Sequence, residues 1–230
     1  VYPNNPKMEN RYRFVLSKGH AAPALYSALA YTVFFPAEDL KTLRHIGSYL
    51  QGHPNMNTVP GVDMSTGSLG QGISAACGMA KGAKYLGKEN VRVYTMLGDG
   101  EIEEGQVWEA MMFAAHYNLD NLCIIVDVNG LQIDGKCEDV MSAEPIDEKA
   151  AAFGFDYVVI DGNDLDEIES AFEKFHQSTK PFAIIMKTVK GKGVSYMEHE
   201  VGWHGKAPNT EEYEIAMAEL NAKLAELQEA

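Results

Sequence analysis

Two apolar segments joined by an amphipathic helix constrain the fold of this chain more than any other feature. The first segment, 91–97, alternates apolar and polar residues and is followed by GDG, whereas the second, 122–128, is almost wholly apolar and is followed by NG. The spacing from Asp99 to Asn129 (129 − 99 = 30 residues) suits one strand–helix–strand crossover. The pattern predicts two parallel strands that place Asp99 and Asn129 at the same carboxyl edge of one sheet.

Ligands of open α/β sheets bind at the carboxyl edge. A carboxylate, an amide oxygen and loop carbonyls at this edge suit Mg²⁺, which takes oxygen ligands and shares them with substrate phosphates. Gly100 lets the backbone approach a diphosphate closely, and the N-terminus of the helix that follows favours an anion. The residues therefore predict a metal–diphosphate site at Asp99 and Asn129, with an Asx-turn at each strand end as the alternative.

The remaining pattern predicts one α/β domain over 1–230, a mostly parallel open sheet with helices on both faces. Further strands are expected at 156–160 and 182–189, and helices at 21–33, 36–49, 68–86, 147–153, 165–177 and 210–227. The helix at 68–86 is rich in Gly and Ala, which lowers helix propensity and indicates a close helix–helix or subunit contact. Residues 1–14 are interpreted as irregular. The glycines of 190–208 favour a mobile loop that orders around a ligand.

Composition limits the classes of partner. The net charge of −14, from 19 basic and 33 acidic residues, argues against a nucleic-acid partner, which requires a basic face. No apolar run approaches the roughly 20 residues of a membrane-spanning helix. The three cysteines, at positions 77, 123 and 137, have spacings unlike those of a metal site. They favour a reducing, cytoplasmic location.

Several sequence blocks make the chain resemble the transketolases. The GDG motif, followed about thirty residues later by an Asn, is similar to the diphosphate–metal motif of thiamine-diphosphate enzymes in general. Five further blocks stand in family order: RYRFVLSKGHAAPALY (11–26), GHPN (52–55), MSTGSLGQG (64–72), LQIDG (131–135) and GWHGKAP (202–208). The resemblance covers nearly the whole chain. It implies a thiamine-diphosphate-binding fold and an enzyme that uses thiamine diphosphate with Mg²⁺ or Ca²⁺.

The resemblance also implies roles for individual residues. Asp99 and Asn129 would be the side-chain metal ligands, and the carbonyl of Leu131 would be a third ligand. The implied cofactor-binding residues are His20, Gly67, Leu69, Gly98, Gly100, Glu101, Asn129, Ile133 and His204. His20 would donate to the diphosphate, while Gly67, Leu69 and Ile133 would approach the cofactor rings. Core packing is the alternative for the two aliphatic residues of that trio.

Two histidines and one glutamate are the implied catalytic residues. His53 would meet the C1 region of a donor sugar, and His204 would lie between cofactor and substrate and assist proton transfer; surface loop histidines are the alternative. Glu104 would face a partner chain and connect two cofactors across the interface, a role that Glu109 could share. The alternative for such residues is the ordinary preference of acidic residues for the first turn of a helix. The other four histidines are interpreted as surface or packing residues.

The chain departs from the family pattern in two respects. The Glu that activates the cofactor comes, in this family, from a second, pyrimidine-binding domain, and neither that domain nor the C-terminal domain follows here. An upstream block of the form SGHPG is also missing, for which truncation is the expected reason. The chain is therefore expected to be the diphosphate-binding half of a split transketolase of the pentose phosphate pathway. It would transfer a two-carbon ketol unit only with a pyrimidine-domain subunit, in a dimer of heterodimers.

Three other interpretations remain open. A related thiamine enzyme subunit is one of them, either similar to 1-deoxyxylulose-5-phosphate synthase or a transketolase for an unusual sugar. A cofactor-binding subunit without turnover of its own is another. A nicotinamide-binding domain is disfavoured because no GxGxxG opens a strand–helix turn.

Overall fold

The core of the molecule is a sheet of five parallel strands. The structure, a computed structural model, describes residues 2–229. In chain order the strands are β1 (Arg13–Leu16), β2 (Val93–Gly98), β3 (Leu122–Val128), β4 (Leu131–Gln132), β5 (Gly135–Lys136), β6 (Asp156–Asp161) and β7 (Phe182–Lys187). The main sheet has the order β1-β2-β3-β7-β6 with every pair parallel, whereas β4 and β5 form a small antiparallel hairpin. The predicted mostly parallel sheet is confirmed.

Helices cover both faces of this sheet. They are α1 (Ala22–Tyr31), α2 (Gln71–Tyr85), α3 (Gly105–His116), α4 (Cys137–Val140), α5 (Ile146–Ala152), α6 (Leu165–Gln177) and α7 (Thr210–Glu229). Short 3-10 segments lie at Gly19–Ala21, Ala37–Thr42, Glu101–Glu103 and Val201–His204. None of the helices within the described residues is long and apolar enough to cross a membrane.

The alternation of side chains along β3 explains this layered core. Ile124 and Val126 pack among residues of α2, α3 and α5 on one face, whereas Cys123 and Ile125 pack towards α6 on the other. A parallel strand buried on both faces is expected to be apolar throughout, as β3 is up to Val126. A separate cluster, centred on Tyr26 of α1, lies beside the sheet.

The predicted crossover of β2, α3 and β3 is confirmed. The two strands are adjacent and parallel, and Gly98 at the end of β2 is in register with Asp127 near the end of β3. The amide of Asp99 continues this pairing and donates to the carbonyl of Asp127 at 3.1 Å. Asp99 and Asn129 consequently lie at the same carboxyl edge, as the spacing predicted.

The prediction of a helix over 36–49 was wrong. Only the 3-10 segment at 37–42 forms there. Arg44 and Gly47 adopt left-handed φ values of 61° and 85°, which an α-helix does not accommodate. The hydroxyl of Tyr49 donates to the carboxylate of Asp39 at 2.6 Å and folds the segment back on itself.

Other expected boundaries shifted for local reasons. Residues 1–14 were expected to be irregular, but β1 begins at Arg13 and pairs with β2. Helix α1 ends at Tyr31 instead of continuing, since Val33 has a φ of 60°. Helix α2 begins three residues later than expected because Gly70, with a φ of 79°, precedes it in the left-handed conformation.

One small residue of α2, Gly72, allows this helix to pack closely against another segment. A β-carbon placed on Gly72 would lie 2.6 Å from the Cα of Ser17, which is closer than any real contact. The equivalent position on Gly78 meets nothing within 4 Å. Gly72 therefore lets α2 approach the segment that follows β1, whereas the subunit contact expected for this helix stays a prediction.

Gly72 and Gly78 form a matched pair for testing this packing. We expect Gly72→Ala to destabilise the chain by about 1–3 kcal/mol, because the new methyl group overlaps the backbone of Ser17. Gly78→Ala should stabilise it by about 0.5–1 kcal/mol, because the helix gains propensity without a clash. Urea unfolding of the two variants measures both effects. A Gly72→Ala variant as stable as the parent would contradict the close approach.

Candidate active site

Polar residues follow four neighbouring strands where each strand ends. Lys18 comes after β1, Asp99 after β2, Asn129 after β3 and Lys190 after β7. These four strands are consecutive in the sheet order β1-β2-β3-β7. Because parallel strands point the same way, the segments that follow them meet at one edge, and the site occupies that edge.

The two predicted metal ligands are held by backbone amides. Asp99 is 6% exposed, and its Oδ2 and Oδ1 accept hydrogen bonds from the amides of Gly130 at 2.6 Å and Gly100 at 2.9 Å. Asn129 Oδ1 accepts from the amide of Leu131 at 3.1 Å. Burial raises the pKa of Asp99, although the two amide bonds oppose this shift. Hydrogen bonds thus connect Asp99 with the turn that contains Asn129 and Leu131.

The donor set fits a metal that shares its ligands with a phosphate. Within residues 2–229, no group of three or more His, Cys, Asp or Glu side chains could hold an ion by itself. Mg²⁺ characteristically binds one or two carboxylates together with substrate phosphates and waters. An open cleft of about 440 Å³ lies beside Asp99 and Asn129 and is also lined by Cys137 and Thr188. The oxygens present therefore suit a hard divalent cation whose coordination a diphosphate completes.

Lys18 and Asp127 form an ion pair at the site that the sequence analysis missed. The ammonium of Lys18 contacts the carboxylate of Asp127, to which the hydroxyl of Thr188 also donates. Burial alone would raise the pKa of Asp127, but Lys18 and the hydrogen bonds lower it below its ordinary value. Asp127 is therefore an anion that holds Lys18 in place. The available signal was a single acid in an otherwise apolar strand, which is rare without a partner.

Two histidines and a second lysine complete what we call the cationic cluster, namely Lys18, His20, Lys190 and His204. The rings of His20 and His204 stack with centroids 5.0 Å apart, and Lys190 Nζ is 3.2 Å from His204 Nδ1. Lys190 was also missed by the sequence analysis, although it opens the glycine-rich segment.

Burial, followed by repulsion from neighbouring positive charges, lowers the pKa values of His20, His204 and Lys190. Burial, and then the positive charges of His204, Lys18, Lys190 and His53, lower the pKa of His20 to about 4. Burial and the two lysines lower the pKa of His204, and burial and then Lys18 lower that of Lys190. Four donors that disfavour one another's charge would be stabilised by a polyanion among them. The cluster therefore fits a diphosphate.

His53 lies beside this cluster on a separate loop. Its ring carbons are 3.1 Å from the point where a β-carbon of Gly67 would stand, so the imidazole lies against this glycine. The hydroxyl of Tyr26 donates to the carbonyl of His53 at 3.1 Å and fixes the loop to α1. His53 remains exposed. The structure thus brings His53, Gly67 and His20 into one neighbourhood.

The segment that carries His204 is extensively hydrogen-bonded. Ser195 donates its amide to Glu219 of α7 at 2.7 Å, and the indole of Trp203 donates to the carbonyl of Tyr196 at 2.9 Å. The amide of Gly193 donates to Glu198 at 2.9 Å. One of these bonds connects the loop to α7, and the other two lie within the loop. The mobility expected for 190–208 stays a prediction.

Glu101 and Glu104 differ in burial. Glu101 is 3% exposed and directs its carboxylate inward, where Ser17, Gly70 and Gly98 donate to it. Glu104 is exposed at the start of α3.

The two aliphatic residues expected at the cofactor rings differ in exposure. Ile133, in the turn between β4 and β5, is 67% exposed, which excludes the core alternative for it, while Leu69 is half-buried. The four remaining histidines are exposed, as expected, at positions 45, 116, 176 and 199.

The chain matches one protein family over nearly its whole length. The family model described as "Transketolase, thiamine diphosphate binding domain" matches residues 1–225. The solved structure of transketolase from Campylobacter jejuni subsp. jejuni NCTC 11168 is similar, with a TM-score of 0.88 and 37% identity, over 93% of this chain and 35% of that one.

Curated relatives fall into two length classes. The 6-deoxy-6-sulfo-D-fructose transketolase subunit SqwG of Clostridium sp. (strain MSTE9) is 46% identical over 96% of this chain and 80% of its own length. An apulose-4-phosphate transketolase subunit of Phocaeicola vulgatus is 42% identical over 99% of this chain and 81% of its own length. Transketolase of Rattus norvegicus is 47% identical over 89% of this chain, which covers only 32% of the rat protein.

The lowered pKa of His20 predicts how stability depends on pH. A pKa of about 4 in the folded chain, against an ordinary 6.5, means that the unfolded chain takes up the proton first. The contribution of neutral His20 is therefore present above pH 6.5 and is lost as the pH falls towards 4. We expect the melting temperature of His20→Asn to fall less between pH 7 and pH 5 than that of the parent. Thermal unfolding across this range, with the exposed His116→Asn as control, measures the difference. An identical loss in His20→Asn and the parent would refute it.

Proposed function

Because the chain belongs to the transketolase family, as its thiamine-diphosphate-binding domain, we propose that it takes part in ketol transfer at the site described above. It would transfer a two-carbon ketol unit from a ketose phosphate to an aldose phosphate with thiamine diphosphate and a divalent metal, Mg²⁺ or Ca²⁺. The observation that carries this proposal is the convergence of Asp99 and Asn129 with the cationic cluster at one sheet edge. That chemistry requires both metal ligands and diphosphate donors, and the residues proposed for the two roles lie at the same sheet edge.

The residues of this edge divide into two binding groups. Asp99, Asn129 and the carbonyl of Leu131 would hold the metal, while the cationic cluster and the backbone at Gly98 and Gly100 would hold the diphosphate. Gly67, Leu69 and Ile133 would lie against the rings of the cofactor. When bound, thiamine diphosphate supplies an electron sink that stabilises a carbanion derived from the ketose.

His53 and His204 are the proposed groups for proton transfer to and from the sugar. The Nδ1 of His204 faces the ammonium of Lys190 and accepts from it, so the neutral ring carries its proton on Nε2. The lowered pKa of His204 keeps this ring neutral near pH 7, where it both donates and accepts. His53, exposed beside Gly67, would contact the C1 region of the donor.

A partner subunit would complete the site. The activating Glu would come from a pyrimidine-domain subunit, and the two cytoplasmic chains would associate as a dimer of heterodimers. An exposed surface on α2 and α3 is the proposed place of contact between the subunits. Met112 and Phe113 on α3 are 55% and 38% exposed, and Gly78 on α2 has open space above it. Glu104 and Glu109 lie on the exposed side of α3 and would face the partner there.

The donor sugar separates two candidate functions. A transketolase for an unusual sugar is the second candidate, because the two subunit-type relatives have names that specify different sugars, 6-deoxy-6-sulfo-D-fructose and apulose 4-phosphate. Enzymes similar to 1-deoxyxylulose-5-phosphate synthase are less favoured, since His53 beside the cluster and His204 within it suit the hydroxyls of a ketol donor. The interpretation as a subunit without turnover of its own would apply to this chain when it is assayed without the partner.

A reconstitution assay tests the function directly. We expect ketol transfer from xylulose 5-phosphate to ribose 5-phosphate only when this chain is mixed with its pyrimidine-domain partner, thiamine diphosphate and Mg²⁺. The reason is that the chain supplies the diphosphate site and the partner supplies the activating Glu. Product formation is followed by coupled spectrophotometry or chromatography. A panel containing 6-deoxy-6-sulfo-fructose and apulose 4-phosphate identifies an unusual donor, whereas turnover by the isolated chain would refute the divided site.

The role of Asp99 has a separate test. Asp99→Asn preserves the shape of the side chain but removes the charge that a divalent cation needs, so we expect the Mg²⁺-dependent affinity for thiamine diphosphate to fall by roughly 100-fold or more. Calorimetric titration of the reconstituted mixture measures that affinity. Asp134→Asn, an exposed change of the same charge in the β4–β5 turn, is the control. Equal affinities for the two variants would remove Asp99 from the metal site.

A further inference from the structure

Glu101 lies beneath the site, with its carboxylate used entirely by the protein. It is 3% exposed in the 3-10 segment that follows the GDG turn. One carboxylate oxygen accepts from the hydroxyl of Ser17 and from the amide of Gly70 at 2.9 Å. The other oxygen accepts from the amide of Gly98 at 3.2 Å. A buried carboxylate is costly unless it is hydrogen-bonded, and three donors provide that compensation here.

The three donors belong to three different segments of the site. Ser17 directly precedes Lys18 and opens the segment that carries His20. Gly70, with its left-handed φ of 79°, joins the Gly67–Leu69 loop to α2. Gly98 immediately precedes Asp99. One side chain therefore connects three segments: the one with the proposed diphosphate donors, the loop expected at the cofactor rings, and the one with the proposed metal ligand.

We propose that Glu101 is a positioning residue, which fixes these three segments relative to one another and so sets the geometry of metal and diphosphate binding without touching either ligand. The inference rests on the proposed function for the identity of the ligands. It differs from the cofactor contact that the family resemblance implied for Glu101, because the carboxylate is buried and accepts its hydrogen bonds from the protein.

The structure indicates which substitution isolates this role. Glu101→Gln retains the volume of the side chain but has one acceptor oxygen in place of two. The amides of Gly70 and Gly98 bind different oxygens, so the variant satisfies only one of them and places its own NH₂ donor against the other. Ser17→Ala is the milder second variant, since it removes the hydroxyl and leaves both amide bonds intact. It also keeps the test decisive if Glu101→Gln does not fold.

A matched control exists at the opposite edge of the sheet. Asn121, 4% exposed just before β3, donates to the carbonyls of Ala80 at 3.1 Å and Val91 at 3.2 Å. Asn121→Ala therefore also removes a buried polar anchor between separate segments, but far from the site. Any loss of ligand affinity that follows from reduced stability alone would appear in this control as well.

Two measurements on the chain test the inference, with Mg²⁺ and inorganic pyrophosphate as the probe. We expect Glu101→Gln to weaken Mg²⁺–pyrophosphate binding by about tenfold or more, as substitutions behind metal ligands typically do. Ser17→Ala should show a smaller loss and Asn121→Ala none. Hydrogen exchange should lose protection in Glu101→Gln at the segments around residues 17–20, 67–72 and 97–101, and in Asn121→Ala elsewhere.

The outcomes separate this inference from the proposed function. Parent-like binding and parent-like exchange in Glu101→Gln would overturn the positioning role, as would an equal loss of affinity in Asn121→Ala. If the parent chain does not bind Mg²⁺–pyrophosphate, the proposed function fails at this site. Hydrogen exchange alone then tests the positioning role of Glu101. Loss of protection confined to the three segments then supports the positioning role, and its absence overturns it. If Glu101→Gln does not fold, Ser17→Ala decides by the same two readouts.

Discussion

Parallel pairing of four consecutive strands is the constraint on which the site depends. Residues that are distant in sequence become neighbours only because β1, β2, β3 and β7 all end at one edge. Each strand end contributes a different kind of group: the lysine and histidine of SKGH, the carboxylate of GDG, the amide oxygen of Asn129, and the ammonium of Lys190. The register of Gly98 with Asp127 places Asp99, the proposed metal ligand, close to the anion that pairs with Lys18. A shift of one residue in this register would turn the side chains of that strand to the other face.

The distribution of charge at this edge supports the proposal that the site binds an anion. Asp127 is paired with Lys18, and Asp99 is buried and bonded to two amides. Within residues 2–229, Lys190 and the stacked His20 and His204 form no ion pair of this kind, and their pKa values are lowered. The chain alone therefore favours the neutral forms of His20 and His204 near pH 7. A bound diphosphate would favour their charged forms, so ligand binding and proton uptake are coupled in this arrangement.

Sequence reasoning succeeded where one local pattern determines the structure. The spacing of Asp99 and Asn129 was enough to predict the crossover, its parallel strands and their shared edge. It failed where long-range contacts decide. Asp127 and Lys18 lie 109 residues apart, and no local pattern indicates that they meet. An acidic residue such as Glu101 is expected to be solvated in the first turn of a helix, yet it is buried because Ser17 and Gly70 donate hydrogen bonds to it. The helix expected over 36–49 was interrupted by the left-handed Arg44 and Gly47.

Exposure within the site explains how the chemistry would be divided between two chains. Carbanion chemistry benefits from an environment that excludes water. Here His53 is exposed, and Ile133, expected at the cofactor rings, is 67% exposed. The end proposed for the diphosphate, by contrast, lies near the buried Asp99 and Glu101 and the partly buried Asp127. In the proposed arrangement this chain would supply the anion- and metal-binding side of the site and would leave the reacting end open. An apolar partner surface that covers Ile133 would exclude water from that end and bring its own carboxylate to the cofactor in the same step.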